Sequence, residues 1–139
     1  MSLPDAKDQV RRFERVREAH RTEMQEDYVE LIGDLIAATG EARATDLAER
    51  FGVTAATVTN TLARLKRAGL IETRPYRSIF LTNAGAEMAR TARERHKLVV
   101  RFLLALGVSE DTAEIDAEGL EHHLSEETLA AMERFSAGR

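Results

Sequence analysis

Residues 46–71 read DLAERFGVTAATVTNTLARLKRAGLI, and the spacing of apolar residues, threonines and glycines in this stretch sets the architecture. Leu47, Ala48 and Phe51 repeat on one helical face, Thr45-Asp46 can open a short helix, and Gly52 can end it. Val53-Thr54 then leads into a second helical pattern through Val58, Leu62 and Leu65, which Gly69 stops. Beyond it the period changes. Leu70-Ile71-Glu72 and Ser78-Ile79-Phe80-Leu81 are short β-prone runs, separated by Thr73-Arg74-Pro75-Tyr76-Arg77. That is the pattern of a hairpin with a proline-bearing, doubly cationic turn. Upstream, Val29, Ile32, Leu35 and Ile36 place an apolar stripe on a helix that runs from about residue 9 to 39, with Gly40 as its stop. Helix, short helix, glycine turn, helix and hairpin is the order of a winged helix-turn-helix.

Around this centre the chain reads as helix. Residues 11–26 are mostly charged and suit either a separate helix or a mobile arm. Asn83 can cap a long helix reaching about Leu106 and carrying Met88, Leu98, Val99, Phe102 and Leu103, and Gly107 breaks it. Ser109 and Ser125 then cap two short helices, the second with Leu129, Met132 and Phe135. Two such short helices are not expected to bury Leu103, Leu104, Leu129, Met132 and Phe135 unaided. This apolar surface suits a homodimer contact.

Composition excludes several functions. At 139 residues the chain can bury one moderate core or two small ones. With no cysteine, disulfides, thiolate zinc sites and cysteine nucleophiles are all excluded, so any metal must be held by His, Asp, Glu, carbonyls or water. The charged N-terminus lacks the apolar region of a secretory signal. The longest apolar run, residues 102–108, is far short of the roughly 20 residues a membrane span needs. A cytoplasmic protein without membrane partners is expected. The net charge of −4 hides a segregation of sign. Between residues 54 and 77, Arg64, Lys66, Arg67, Arg74 and Arg77 stand against Glu72 alone, whereas residues 103–139 hold nine acids against Arg134 and Arg139. A basic centre beside an acidic C-terminal third points to polyanion binding coupled to cation binding, although part of the acidic third is ordinary solvated helix surface.

In a winged helix-turn-helix the third helix enters the major groove of double-stranded DNA. Its N-terminal residues Thr54, Ala55, Ala56, Thr57 and Asn60 offer hydroxyls, methyls and an amide to base edges. Arg64, Lys66, Arg74 and Arg77 are placed to neutralise phosphates, which sets affinity and salt dependence more than sequence choice. Some winged helices serve only as protein-interaction domains. The local excess of cations favours DNA.

The second informative stretch is DAEGLEHH, residues 116–123. Glu118, Glu121 and His122 fall at i, i+3 and i+4, so a continuous helix puts them on one face as an oxygen-rich half-site suited to Mn or Fe. Glu and His on one helix face are more often simply solvated. The DNA-reading pattern and a second acidic half-site raise the metal reading above that.

With EDYVELI in the first helix, ERH in the long helix and EGLEHH after it, the chain resembles the diphtheria toxin repressor family over residues 26–133, most closely its manganese-responsive branch. The resemblance implies a mainly α fold, a winged helix-turn-helix followed by a helical dimerisation and metal-binding domain. No SH3-like third domain is expected. The expected divisions are residues 1–22 as a charged arm or helix, 23–83 as the DNA-binding domain and 84–139 as the dimerisation and metal-binding domain. It implies the ligand set Asp27 and Glu30 from EDYVELI, His96 from ERH, and Glu118, Glu121 and His122 from EGLEHH. Four carboxylates and two imidazoles suffice for two divalent ions per subunit, Mn²⁺ by resemblance. His123 reads as an outer or surface residue, and His20 in the charged arm receives no role.

The expected function is a homodimeric, Mn²⁺-dependent repressor of manganese homeostasis genes on a palindromic operator. The alternatives are a winged-helix regulator that responds to another divalent metal such as Fe²⁺, and one that responds to none. An enzyme is not expected, since no nucleophile or oxyanion arrangement accompanies the carboxylates.

Overall fold

A computed structural model describes residues 2–75 and 78–138. The elements in order are α1 (Ala6–Thr39), α2 (Ala44–Phe51), α3 (Ala55–Arg67), β1 (Ile71–Arg74), β2 (Ser78–Leu81), α4 (Asn83–Ala105), α5 (Glu110–Leu120), a 3₁₀ turn (Glu121–His123) and α6 (Glu126–Ala137). The chain divides into two compact units, Gln25–Arg93 and the combination of Met1–Met24 with Glu94–Arg139. The fold is mainly α with a two-stranded wing, as the sequence led us to expect.

The unit Gln25–Arg93 is the winged helix. Tyr28, Val29, Ile32 and Leu35 of α1, Leu47 of α2, Val58 and Leu65 of α3, and Leu70, Ile71 and Ile79 of the wing form its buried core. Tyr28 stacks on Phe51 with ring centroids 4.5 Å apart. α2 begins at Ala44, with Arg43 at the capping position and Asp46 in the first turn, where the helix dipole favours an acid. It ends at Gly52, whose φ of 68° is left-handed and strains any residue with a Cβ. Thr54 caps α3, its hydroxyl accepting from Thr57 N at 3.1 Å. The strands are antiparallel and pair Ile71 with Leu81 and Arg74 with Ser78. Ile79 N also donates to Ala42 O at 3.0 Å, which fastens the α1–α2 connection to the wing.

The start of α4 differs from the sequence reading. The cap is Thr82 rather than Asn83: Thr82 Oγ1 accepts from Gly85 N at 3.1 Å and donates to Gly69 O at 2.7 Å. The second bond ties the helix to the end of α3, a tertiary advantage that Asn83, already inside α4, does not have. Gly85 packs directly on the backbone of Leu70, the residue before β1, where an added Cβ would lie 2.0 Å from Leu70 O.

In the other unit, Val99, Ala117 and Leu129 form a small core, with Leu98, Val100, Leu103, Leu124 and Met132 packed on it. Phe102 meets Phe135 edge to face at 5.5 Å. Ser109 and Ser125 cap α5 and α6 as expected, accepting from Thr112 N and Thr128 N. Two expectations change. The charged N-terminal stretch is part of one continuous 34-residue α1, free of Gly and Pro until Gly33 and supported by the i,i+3 pairs Arg11–Asp8 and Arg21–Glu18. Of the five apolar residues assigned to a dimer contact, only Leu104 is exposed, because Leu129 joins the core and Leu103, Met132 and Phe135 are at least half-buried. The open apolar positions of this unit instead include Leu104, Leu106, Ile115 and Leu120, with Val10, Phe13, Val16 and Met24 on α1. Among the described residues, no helix is long and apolar enough to cross a membrane.

Candidate nucleic-acid interface and metal-ligating residues

One face of α3 is buried through Val58, Thr61 and Leu65, so the opposite face is left for a ligand. Thr54, Ala55, Ala56, Thr57, Asn60, Arg64 and Lys66 are all exposed. Thr54 Oγ1 lies 2.9 Å from Thr57 Oγ1, so one of the two hydroxyls is engaged at the helix start. At 100° per residue, Ala56, Asn60, Ala63 and Arg67 centre the exposed face. Arg67 is thus a contact candidate beyond those named from the sequence. Seven residues after Asn60, it falls within about 20° of it around the helix. Lys66 points well away from that centre. The seven-residue spacing in the sequence already carried this signal.

On the wing, Arg74 lies over the Phe80 ring at 4.4 Å and pairs with Glu72 at 3.5 Å. The guanidinium is thus held against the strand face while its side chain stays 60% exposed. Arg77, the other cation of the turn, lies outside the described residues.

The expected metal ligands divide between the two units. In Gln25–Arg93, Asp27 and Glu30 sit three residues apart on α1 and both are half-buried. Glu26 beside them is 2% exposed, a carboxylate that the sequence reading passed over. A carboxylate so buried needs charge or hydrogen-bond compensation, and its adjacency to Asp27 in EDYVELI was the available signal.

The other four candidates belong to the second unit. Here the expected single face is not observed. α5 ends at Leu120 and the chain tightens into a 3₁₀ turn, which separates Glu118 from its neighbours. Glu118 is 71% exposed at its side chain, whereas Glu121 and His122 are buried. Glu121 Oε1 lies 3.3 Å from His122 Nε2, and Oε2 lies 3.6 Å from Arg95 Nε. A carboxylate in the interior is tolerated beside such a cation. His96 faces α5 and meets two acids one turn apart, Nε2 at 2.7 Å from Glu114 Oε2 and Nδ1 at 3.5 Å from Glu118 Oε2. Arg95 and Glu114 are therefore additions to the set read from sequence; the first flanks His96 in ERH, and the second precedes Glu118 by one helical turn. The donor atoms are oxygen and imidazole nitrogen throughout, a set that fits a hard or borderline divalent ion.

Two family models match the chain. The iron dependent repressor N-terminal DNA binding domain covers residues 20–79, and the iron dependent repressor metal binding and dimerisation domain covers residues 82–137. The chain is 53% identical over 134 residues to the transcriptional regulator MntR of Escherichia coli O6:H1, covering 96% of this chain and 86% of that protein. It is 38% identical over 104 residues to the HTH-type transcriptional regulator MntR of Bacillus subtilis (strain 168), covering 75% of this chain and 73% of that protein. Among solved structures, a manganese-dependent transcriptional repressor in complex with manganese superposes with a TM-score of 0.72 at 28% identity, over 83% of this chain. The manganese regulator SloR superposes with a TM-score of 0.70 at 26% identity, over 80% of this chain. This chain spans about half the length of those two structures, 53% and 52%. The winged helix, the helical unit after it and these similarities together establish that the chain belongs to the iron-dependent, or diphtheria toxin, repressor family of DNA-binding transcriptional regulators, in its MntR group, and is not an enzyme.

Proposed function

We propose that this protein is a manganese(II)-dependent repressor that acts in the cytoplasm as a homodimer on a near-palindromic operator of manganese homeostasis genes. The observation that carries the reading is the burial of Glu121 and His122 side by side, at 1% and 7% exposure. A solvated acidic surface does not bury a carboxylate and an imidazole together, and a metal-binding unit has a use for both. The proposed ligands are Asp27, Glu30, His96, Glu118, Glu121 and His122, enough for two ions per subunit. A bound divalent cation supplies the positive charge that offsets repulsion among the four carboxylates. Glu114 orients His96, and Arg95 balances Glu121. Affinity follows the Irving–Williams order, in which Mn²⁺ ranks low, so selectivity for manganese rests on the coordination number and geometry that an oxygen-rich set permits.

Thr54, Ala55, Ala56, Thr57 and Asn60 read base edges in this proposal, while Arg64, Lys66, Arg67, Arg74 and Arg77 meet phosphates. The exposed Leu104, Leu106, Ile115 and Leu120 supply the apolar surface for dimerisation. Two reading heads on a two-fold axis require a near-palindromic site. The decisive experiment is DNA retardation with Mn²⁺ and with chelator. Operator binding that appears only with Mn²⁺ supports the proposal, and equal binding in both conditions overturns it.

A further inference from the structure

We propose that His20, Glu23 and His123 form a separate cation site that takes a borderline transition-metal ion, Zn²⁺ or Ni²⁺ by class, in preference to Mn²⁺. None of the three belongs to the six ligands proposed above, and the site stands independently of that reading. His20 and Glu23 lie three residues apart on α1, and His123 closes the 3₁₀ turn; all belong to the same compact unit.

The distances separate a cation site from a set of hydrogen bonds. Both imidazoles converge on one oxygen: His20 Nδ1 is 3.6 Å and His123 Nε2 is 3.5 Å from Glu23 Oε1. Ordinary N–H···O bonds close to about 2.7–3.2 Å, so these contacts are long for direct bonding. Two ligands on one tetrahedral ion, each bonded at about 2.0–2.1 Å, stand roughly 3.3–3.4 Å apart. The observed edges are close to that value, and the candidate donor atoms all lie within 4.8 Å of one another. The imidazole rings meet edge to face at 5.0 Å and 79°, which lets two ring nitrogens aim at a common point without stacking. The His20 side chain is 64% exposed, so water can complete the coordination shell.

The donor chemistry sets the preference. Two imidazoles and one carboxylate make a softer, nitrogen-rich set than the carboxylate-rich one proposed for manganese, and such a set follows the Irving–Williams order. Occupancy would also tie α1 to the turn that carries Glu121 and His122, restraining the backbone next to two proposed manganese ligands.

The test uses the full chain and Zn²⁺ in competition with a chromophoric chelator, alongside a separate Mn²⁺ titration. His20→Ala and Glu23→Gln should each lose one Zn²⁺ equivalent, or weaken it by about tenfold or more, and His20→Ala should leave the Mn²⁺ titration unchanged. His122→Ala should keep that equivalent while it loses Mn²⁺ affinity. Wild-type Zn²⁺ stoichiometry and affinity in both His20→Ala and Glu23→Gln would overturn the site, whatever the manganese result. His20 is an exposed helix position, so its truncation leaves the fold intact.

Discussion

His96 Nε2 lies 2.7 Å from Glu114 Oε2, on the opposite side of the ring from the Nδ1 that faces Glu118. A proton on Nε2 donates to Glu114 and leaves the Nδ1 lone pair directed toward Glu118, the arrangement a shared cation needs. Glu114 is therefore expected to orient His96. Glu114→Ala should lower Mn²⁺ affinity by about 10- to 100-fold in a calorimetric titration, with helical content unchanged. Unaltered affinity would reduce the pair to a surface contact.

Glu121→Gln and His122→Ala should each give a folded dimer whose operator binding no longer rises with Mn²⁺. Either change removes a buried donor while the DNA-reading helix, in the other compact unit, keeps its non-specific and salt-sensitive binding. Asp27→Ala is the companion variant: if α1 relays metal binding to DNA binding, it should retain some Mn²⁺ affinity and lose much of the DNA response. A wild-type Mn²⁺ response in all three would remove these residues from the metal site.

Replacing Arg64, Lys66, Arg67 or Arg74 by Ala should weaken operator and random DNA alike and flatten the salt dependence by about one unit per phosphate contact. Arg74 should show the smaller effect, because Glu72 already occupies part of its charge. Asn60→Ala should instead cost the operator more than random DNA, by about 1–3 kcal/mol. Salt slopes that do not move in the cationic variants would place the DNA face elsewhere.

Gly85→Ala should destabilise the winged helix by about 1–3 kcal/mol or more, read as a lower urea midpoint. The added Cβ would lie 2.0 Å from Leu70 O, and backbone rather than a flexible side chain must give way. Because Thr82 holds the same junction, Thr82→Ala should destabilise it as well, by about 1 kcal/mol.

Leu104→Asp or Ile115→Asp should shift the protein toward monomer in sedimentation at micromolar concentration, since both side chains are open to solvent in the single chain. Leu129→Asp should unfold the helical unit instead, because Leu129 belongs to its core. A monomeric wild type, with and without Mn²⁺ and DNA, would remove the dimer from the proposal.

The element order was legible because each element has a local cause. Gly52 and Gly107 stop helices by adopting positive φ, Thr54, Ser109 and Ser125 cap them, and the period of apolar residues distinguishes α3 from the strands that follow. The resemblance carried by EDYVELI, ERH and EGLEHH likewise implied the six ligand candidates from the sequence. Tertiary contacts decided the rest. Thr82 displaced Asn83 as a cap because only Thr82 also reaches Gly69 O, a bond across 13 residues that no local pattern encodes. Leu129 turned inward because Val99 and Ala117 offered it a core. The tightening of Glu121–His123 into a 3₁₀ turn buried Glu121 and His122 and left Glu118 in solvent, although all three share a helical spacing in sequence. Side-chain spacing fixes which residues can share a face; where a helix ends, and what its last turn packs against, depends on free energy summed over residues distant in the chain.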